Sequence, residues 1–100
     1  MSLETITARM RDKFSFAPAI NAKIKFDFGD SGIVFIDATQ NPPVLSHDDA
    51  EADTTLVCAP ETLEGFLDGT QDPNIAFMTG KLKIRGSMGI ALKLNAILEG

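Results

Sequence analysis

One hundred residues, 44% apolar and 23% charged, describe a single globular domain over residues 1–100, because a disordered segment would carry far fewer apolar side chains. A net charge of −5 with no gathered Lys/Arg patch excludes a nucleic-acid partner, whose phosphates call for cations on one face. Cys58 is the only cysteine, which excludes an intrachain disulfide, and every apolar run falls far short of the ~20 residues of a membrane-spanning helix.

The opening MSLETITARMRD lacks the basic start and continuous apolar run of a secretory signal, so a reducing, cytoplasmic home is expected. Ser2 is placed to cap a helix that carries Leu3, Ile6, Met10 and Phe14 at spacings of three and four, with Glu4 favourable to its dipole. Pro18 closes that segment. Residues 20–28 then alternate, Ile20, Ala22, Ile24, Phe26 and Phe28 on one face against Asn21, Lys23, Lys25 and Asp27 on the other. A turn at residues 29–32 and a second strand, IVFIDA, complete a hairpin over residues 20–38, with Val34, Ile36 and Ala38 inward and Asp37 outward. The Gln40, Asn41, Pro42, Pro43 run breaks the sheet before a short strand at Val44 and Leu45.

After the acidic stretch HDDAEAD, residues 53–59 read as a strand with Leu56 and Cys58 inward. Pro60 opens a helix through Phe66 and Leu67 that stops at Gly69. A shorter helix follows, capped by Asp72 and holding Ile75, Ala76, Phe77 and Met78 before Gly80. KLKIRG alternates as a strand with Leu82 and Ile84 inward, its Lys81, Lys83 and Arg85 reading as a solvated face. Ser87 caps the last helix. Hairpins first and helices later predict an α+β fold with an antiparallel-rich sheet covered on one face.

Catalytic and metal constellations fail on spacing. His47 stands among Asp48, Asp49, Glu51 and Asp53, but a calcium loop starting at Asp49 would need Gly in place of Thr54 and Glu in place of Pro60. No second His or Cys stands at zinc spacing, and the cluster reads as a solvated acidic loop. The Gly80–Lys81 dipeptide lacks the Ser/Thr and the earlier Gly of a P-loop, since Leu82 and Ile75 occupy those places. Cys58 on an apolar strand face reads as a small core residue, and no triad motif is present.

What remains is apolar surface. In the last helix Ile90, Leu94, Ile97 and Leu98 share one face, while Met88, Ala91, Leu92 and Ala96 widen the apolar arc beyond the ~100° stripe of an ordinary core helix. Only Lys93, Asn95 and Glu99 are clearly polar. Periodicity alone favours core or dimer packing for such an arc. A chain of this size buries only about 60–70% of its unfolded surface, so volume given to a ligand cavity would be kept for use.

These same residues carry a resemblance. ADTTL at residues 52–56, the helix ending at Gly69, Pro73 with Ala76 and Phe77, GKLKI at residues 80–84, Gly86 with Met88 and Gly89, Ala91, and Lys93 with Leu94 resemble a sterol carrier protein 2 domain. The resemblance implies a five-stranded, mainly antiparallel sheet, helices over one face and an apolar tunnel between them. It also implies non-covalent binding and transfer of a long-chain lipid: a fatty acid, fatty acyl-CoA, sterol or isoprenoid-like molecule. No cofactor, metal or catalytic residue is implied. The candidate wall residues are Phe26, Val34, Ile36, Leu56, Phe66, Phe77, Ile84, Met88, Leu92 and Leu94. The partners expected are the lipid itself and, in passing, a membrane or an enzyme. The alternative is a protein-interaction or homodimerisation module, or an accessory factor of a lipid-processing enzyme, using the apolar last helix. The ending Leu98, Glu99, Gly100 is no peroxisomal signal.

Overall fold

The computed structural model describes residues 3–15, 20–40 and 42–99. The expected Ser2 cap and Pro18 stop, together with Asn41 and Gly100, lie outside the described residues. Helix α1 (Leu3–Ser15) turns Ile6, Thr7, Met10 and Phe14 inward, the face its apolar spacing called for. Strands β1 (Lys23–Asp27) and β2 (Ile33–Asp37) pair antiparallel, with Phe26 opposite Val34 and Ile24 opposite Ile36. A single 3₁₀ turn at Gly29–Ser31 joins them. Strand β3 (Val44–Ser46) extends the sheet beyond β2. Beyond β4 (Thr54–Cys58) and helices α2 (Pro60–Asp68) and α3 (Pro73–Met78), strand β5 (Leu82–Gly86) leads into α4 (Met88–Glu99).

The sheet order is β3-β2-β1-β4-β5; three of its four neighbouring pairs are antiparallel and one, β1 with β4, is parallel. A parallel pair requires the chain to return to the same end of the sheet. Here the excursion through β2 and β3 brings it back, placing Leu56 beside Phe26. All helices named above lie on the chain's route over one face, and their inward residues join the sheet in one apolar cluster. Ile6, Met10 and Phe14 of α1, Leu63 and Phe66 of α2, Ala76 of α3, and Leu94 and Leu98 of α4 meet Ile24, Phe26, Val34, Ile36, Leu56 and Leu82. At ~25 cal/mol per Å² of apolar area this cluster is the main stabilising term of the fold.

Local signals set the joints. Gly69 ends α2 with φ +79, a left-handed conformation that costs glycine nothing. The Asp72 carboxylate accepts from the backbone N–H groups of Asn74 and Ile75, capping α3, and the Ser87 hydroxyl accepts from the N–H of Ile90 at 3.3 Å. Gly86 makes the turn from β5 into α4 with φ +89, where an added Cβ would stand 2.5 Å from the Asp53 carbonyl oxygen. Only a residue without a side chain lets β5 leave the sheet so close to the start of β4.

Two residues depart from the alternation. Phe35 is buried although it faces away from the helices, between Lys25 and Ser46 on the neighbouring strands. The Lys25 stem lies along that face while its ammonium pairs with Asp49 at 2.7 Å, which covers the ring. Asn95, one of the few clearly polar residues of the last helix, is also buried.

Candidate functional site

The ten residues named from the sequence divide into two sets. Phe26, Val34, Ile36, Leu56, Phe66 and Leu94 are buried in the apolar cluster between sheet and helices. Phe77, Met88 and Leu92 are exposed, at 45%, 46% and 61%, and Ile84 is half-buried between the sets. Sequence alternation assigns inward and outward positions but contains no measure of how much cover an element receives. The exposed set belongs to α3 and α4, elements that touch each other and β5.

The way α4 packs explains its exposed side. Ala91, Leu94, Asn95 and Leu98 face inward, against α1, α2 and β4 among other elements, and Ile90 and Ile97 flank them half-buried. Met88 and Leu92, one helical turn apart, are left on the outer side. Helix α3 is arranged likewise: Pro73 and Ala76 face inward, while Ile75, Phe77 and Met78 are exposed. Large apolar side chains on two touching elements thus stand in water, and both elements touch β5, which carries the half-buried Ile84.

One buried polar side chain, Asn95, lies on the inward face of α4, and it is not among the candidate wall residues. The Asn95 amide donates to Asn74 Oδ1 at a long 3.5 Å, bridging α4 to the first turn of α3. Its own Oδ1 is buried and has no hydrogen-bond partner among the described residues. A buried acceptor left unpaired costs about 1–3 kcal/mol, so this oxygen would gain from a donor brought by a bound molecule. Its only sequence signal was an interruption of the apolar arc.

Among the described residues, nothing in the geometry activates a nucleophile. The Cys58 thiol is buried and its pKa is pushed up to about 12 by desolvation, so it is neutral at physiological pH and a poor nucleophile. His47 lies 3.0 Å from the Thr7 hydroxyl. That hydroxyl already donates to the Leu3 carbonyl, so His47 Nε2 is the donor, joining the acidic loop to α1. Asp53 accepts from the Lys23 backbone N–H, and Asp49 is held by Lys25. The acidic loop is therefore stitched to the sheet, and no group of three or more His, Cys, Asp or Glu able to hold a metal gathers among the described residues.

Comparison with known proteins decides the family. The model of the SCP-2 sterol transfer family matches residues 4–99. This chain belongs to that family. Family members are known for lipid binding and transfer. Sterol carrier protein 2 of Bos taurus is 45% identical over 52 residues, a stretch that covers 52% of this chain and 10% of that protein. The matched stretch thus spans only about a tenth of that relative's length.

Solved members share the fold across nearly the whole chain. Sterol carrier protein 2 from Yarrowia lipolytica in its apo form superimposes with a TM-score of 0.74 at 23% identity, covering 94% of this chain and 87% of that one. The palmitated SCP2L2 of Aedes aegypti superimposes with a TM-score of 0.72 at 20% identity, covering 100% of this chain and 96% of that one. The α+β architecture of the SCP-2 family is therefore present, with a five-stranded sheet that is mostly antiparallel. No described helix is long and apolar enough to cross a membrane.

Proposed function

We propose that this SCP-2 family member is a single domain that binds one long-chain lipid without covalent chemistry, shields it along the apolar side formed by α3, β5 and α4, and delivers or presents it. The observation that carries this reading is the unsealed apolar side of α3 and α4, where Phe77, Met88 and Leu92 stand exposed on elements that touch β5. In a water-filled site such side chains are a cost; against an acyl chain they are a wall. The apolar tunnel implied by the resemblance belongs to this proposal, with Phe77, Ile84, Met88 and Leu92 on its open side and Phe26, Val34, Ile36, Leu56, Phe66 and Leu94 behind. A protein of the same fold solved in palmitated form supports a fatty-acyl occupant.

An acyl chain of about sixteen carbons gains at most ~13 kcal/mol at ~0.8 kcal/mol per buried CH₂. Association costs of about 4–15 kcal/mol offset much of that. Micromolar affinity and tolerance of chain length follow, since one methylene discriminates by only ~1–3 kcal/mol. Asn95 Oδ1 adds a hydrogen-bond acceptor, which favours a ligand bearing a hydroxyl over one bearing a carboxylate. Fatty acids, fatty acyl-CoA, sterols and isoprenoid-like lipids all remain within the class, and the protein works as a non-enzymatic carrier in the cytoplasm.

The test is displacement of a fluorescent fatty acid from the delipidated, refolded protein, with native mass spectrometry as the second readout. Uptake at micromolar concentration is expected, and Leu92→Asp should abolish most of it in a folded protein. Absence of uptake in both measurements overturns the carrier reading. The second reading, an interaction or homodimerisation module or an accessory factor that docks on an enzyme, draws on the 83% exposure of Met78. A stable dimer in sedimentation, lost on Met78→Asp, would favour it.

A further inference from the structure

Strand β5 ends the sheet, with β4 on one side and no described strand on the other. Its backbone groups divide between those two sides. The Ser87 N–H donates to the Asp53 carbonyl at 3.0 Å, and the Thr54 hydroxyl donates to the Arg85 carbonyl at 3.3 Å. Arg85 and Ser87 therefore turn polar backbone groups toward β4. In an antiparallel pair every second residue bonds the neighbouring strand, so Lys83, opposite Val57, faces β4 as well. The N–H and C=O of Ile84 then point out from the open edge, where no described residue bonds them. Leu82 is sealed, but Ile84 is half-buried between the exposed Lys83 and Arg85, so the edge is accessible here.

Side chains alternate over the same stretch. Lys83 and Arg85 leave on the sheet face away from the helices, roughly 6.6 Å apart, and Ile84 leaves on the helix side. Thr55 and Val57 of β4 offer these cations no carboxylate, and neither cation forms an ion pair with a described residue; the pairs present are Arg9 with Asp68 and Lys25 with Asp49.

We propose that this edge binds an extended acidic segment of another protein, added to the sheet as a further antiparallel strand with the pattern acidic, apolar, acidic. The register follows from the two alternations. The residue opposite Ile84 exchanges both backbone hydrogen bonds with it and turns its side chain to the helix side, where an apolar group covers the half-buried isoleucine. Its two neighbours stand opposite Lys83 and Arg85 in the closer, non-hydrogen-bonded kind of pair, and their carboxylates meet those cations on the other face. A second copy of β5 is the wrong partner, since Lys and Arg would face Lys and Arg at the same close spacing. The runs of this chain that have the pattern, Asp49-Ala50-Glu51 and Glu51-Ala52-Asp53, are already held, Asp49 by Lys25 and Asp53 by the Lys23 N–H.

This inference goes beyond the carrier reading and is measured apart from it. The experiment is fluorescence anisotropy of a fluorescein-labelled peptide, Ser-Thr-Glu-Val-Glu-Thr-Ser, titrated with the whole protein. Binding that weakens as salt is raised is expected, together with protection of the Ile84 amide from hydrogen exchange. The peptide Ser-Thr-Val-Glu-Glu-Thr-Ser sends its carboxylates to opposite faces and should bind about fivefold more weakly. N-methylation of the central Val removes the N–H given to the Ile84 carbonyl and should cost about fivefold as well. Lys83→Glu/Arg85→Glu should lose at least about tenfold and should instead prefer the peptide with Lys in place of each Glu. Both positions are exposed, so circular dichroism should report an unchanged fold, and fatty-acid uptake should persist.

Absence of binding overturns the inference. So does equal binding of the adjacent-carboxylate or N-methylated peptide, because charge alone would then hold the segment, and so does full binding by the charge-reversed variant. Peptide binding by a protein that takes up no fatty acid would leave this edge site standing and remove the carrier reading.

Discussion

The strands β1, β2 and β4 and the segment from α3 to α4 are both rich in apolar side chains, yet they dispose of them differently. On the strands, Ile24, Phe26, Val34, Ile36 and Leu56 are wholly excluded from water beneath α1, α2 and α4. On α3 and α4, Ile75, Phe77, Met78, Met88 and Leu92 are exposed. The strand residues are held from both sides by paired neighbours and from above by helices. The helix residues lie on the outer side of the covering layer, where the described chain adds no further layer. Burial on the strands stabilises the fold; exposure on the helices leaves side chains free to meet something else.

The strongest way to break this comparison is a pair of truncations. Phe26→Ala removes a wholly buried ring and should destabilise the protein by about 3–5 kcal/mol in urea unfolding, which for a small domain approaches its whole stability. Leu92→Ala should change stability by no more than about 0.5 kcal/mol, as exposed substitutions do. It should nevertheless weaken fatty-acid uptake about tenfold, the equivalent of ~1.4 kcal/mol. If Leu92→Ala cost as much stability as Phe26→Ala, the helices would be core and the distinction between the two regions would vanish.

A sharper test sits where the regions meet. Asn95 lies on the inward face of α4, with a buried oxygen that has no partner. Asn95→Leu, similar in shape, replaces that oxygen with an apolar group and should raise stability by about 1 kcal/mol in a thermal or urea melt. The same change should remove any preference for a fatty alcohol over a hydrocarbon of equal length. Loss of stability in Asn95→Leu would mean that the Asn74 contact outweighs the unpaired acceptor.

This contrast was only partly legible in the residues themselves. Alternation from Ile20 to Phe28 and the turn glycines Gly29 and Gly32 foretold the β1–β2 hairpin, because a half-buried strand has period two. Asp72 before Pro73, and Ser87 before Met88, foretold α3 and α4 because their side chains satisfy the first helical N–H groups. Pairing between distant strands has no such local signal, so the parallel β1–β4 neighbours had to come from the structure. The candidate wall shows the same limit. Phe26 and Phe77 look alike in a sequence, and only the depth of the layer above each separates a core ring from an exposed one. Asn95 reads only as one of three polar residues of the last helix, because residue type alone does not say which side of an almost wholly apolar helix is covered; the structure buries it.

The smallest effect expected concerns the rim of the sealed region. Arg9 of α1 and Asp68 of α2 form an ion pair at 2.5 Å, the side chains being 34% and 48% exposed. Water and salt screen charges so placed, and the pair should contribute about 0.2–1 kcal/mol. Arg9→Ala should therefore shift the urea midpoint slightly, with an unchanged slope, since the surface exposed on unfolding is the same. A double-mutant cycle with Asp68→Ala isolates the coupling, and high salt should shrink it. A coupling several times larger would mean that charge, rather than the apolar side chains Ile6, Met10, Leu63 and Phe66 beneath it, closes α1 onto α2. The two regions would then differ in what seals them as well as in how completely they are sealed.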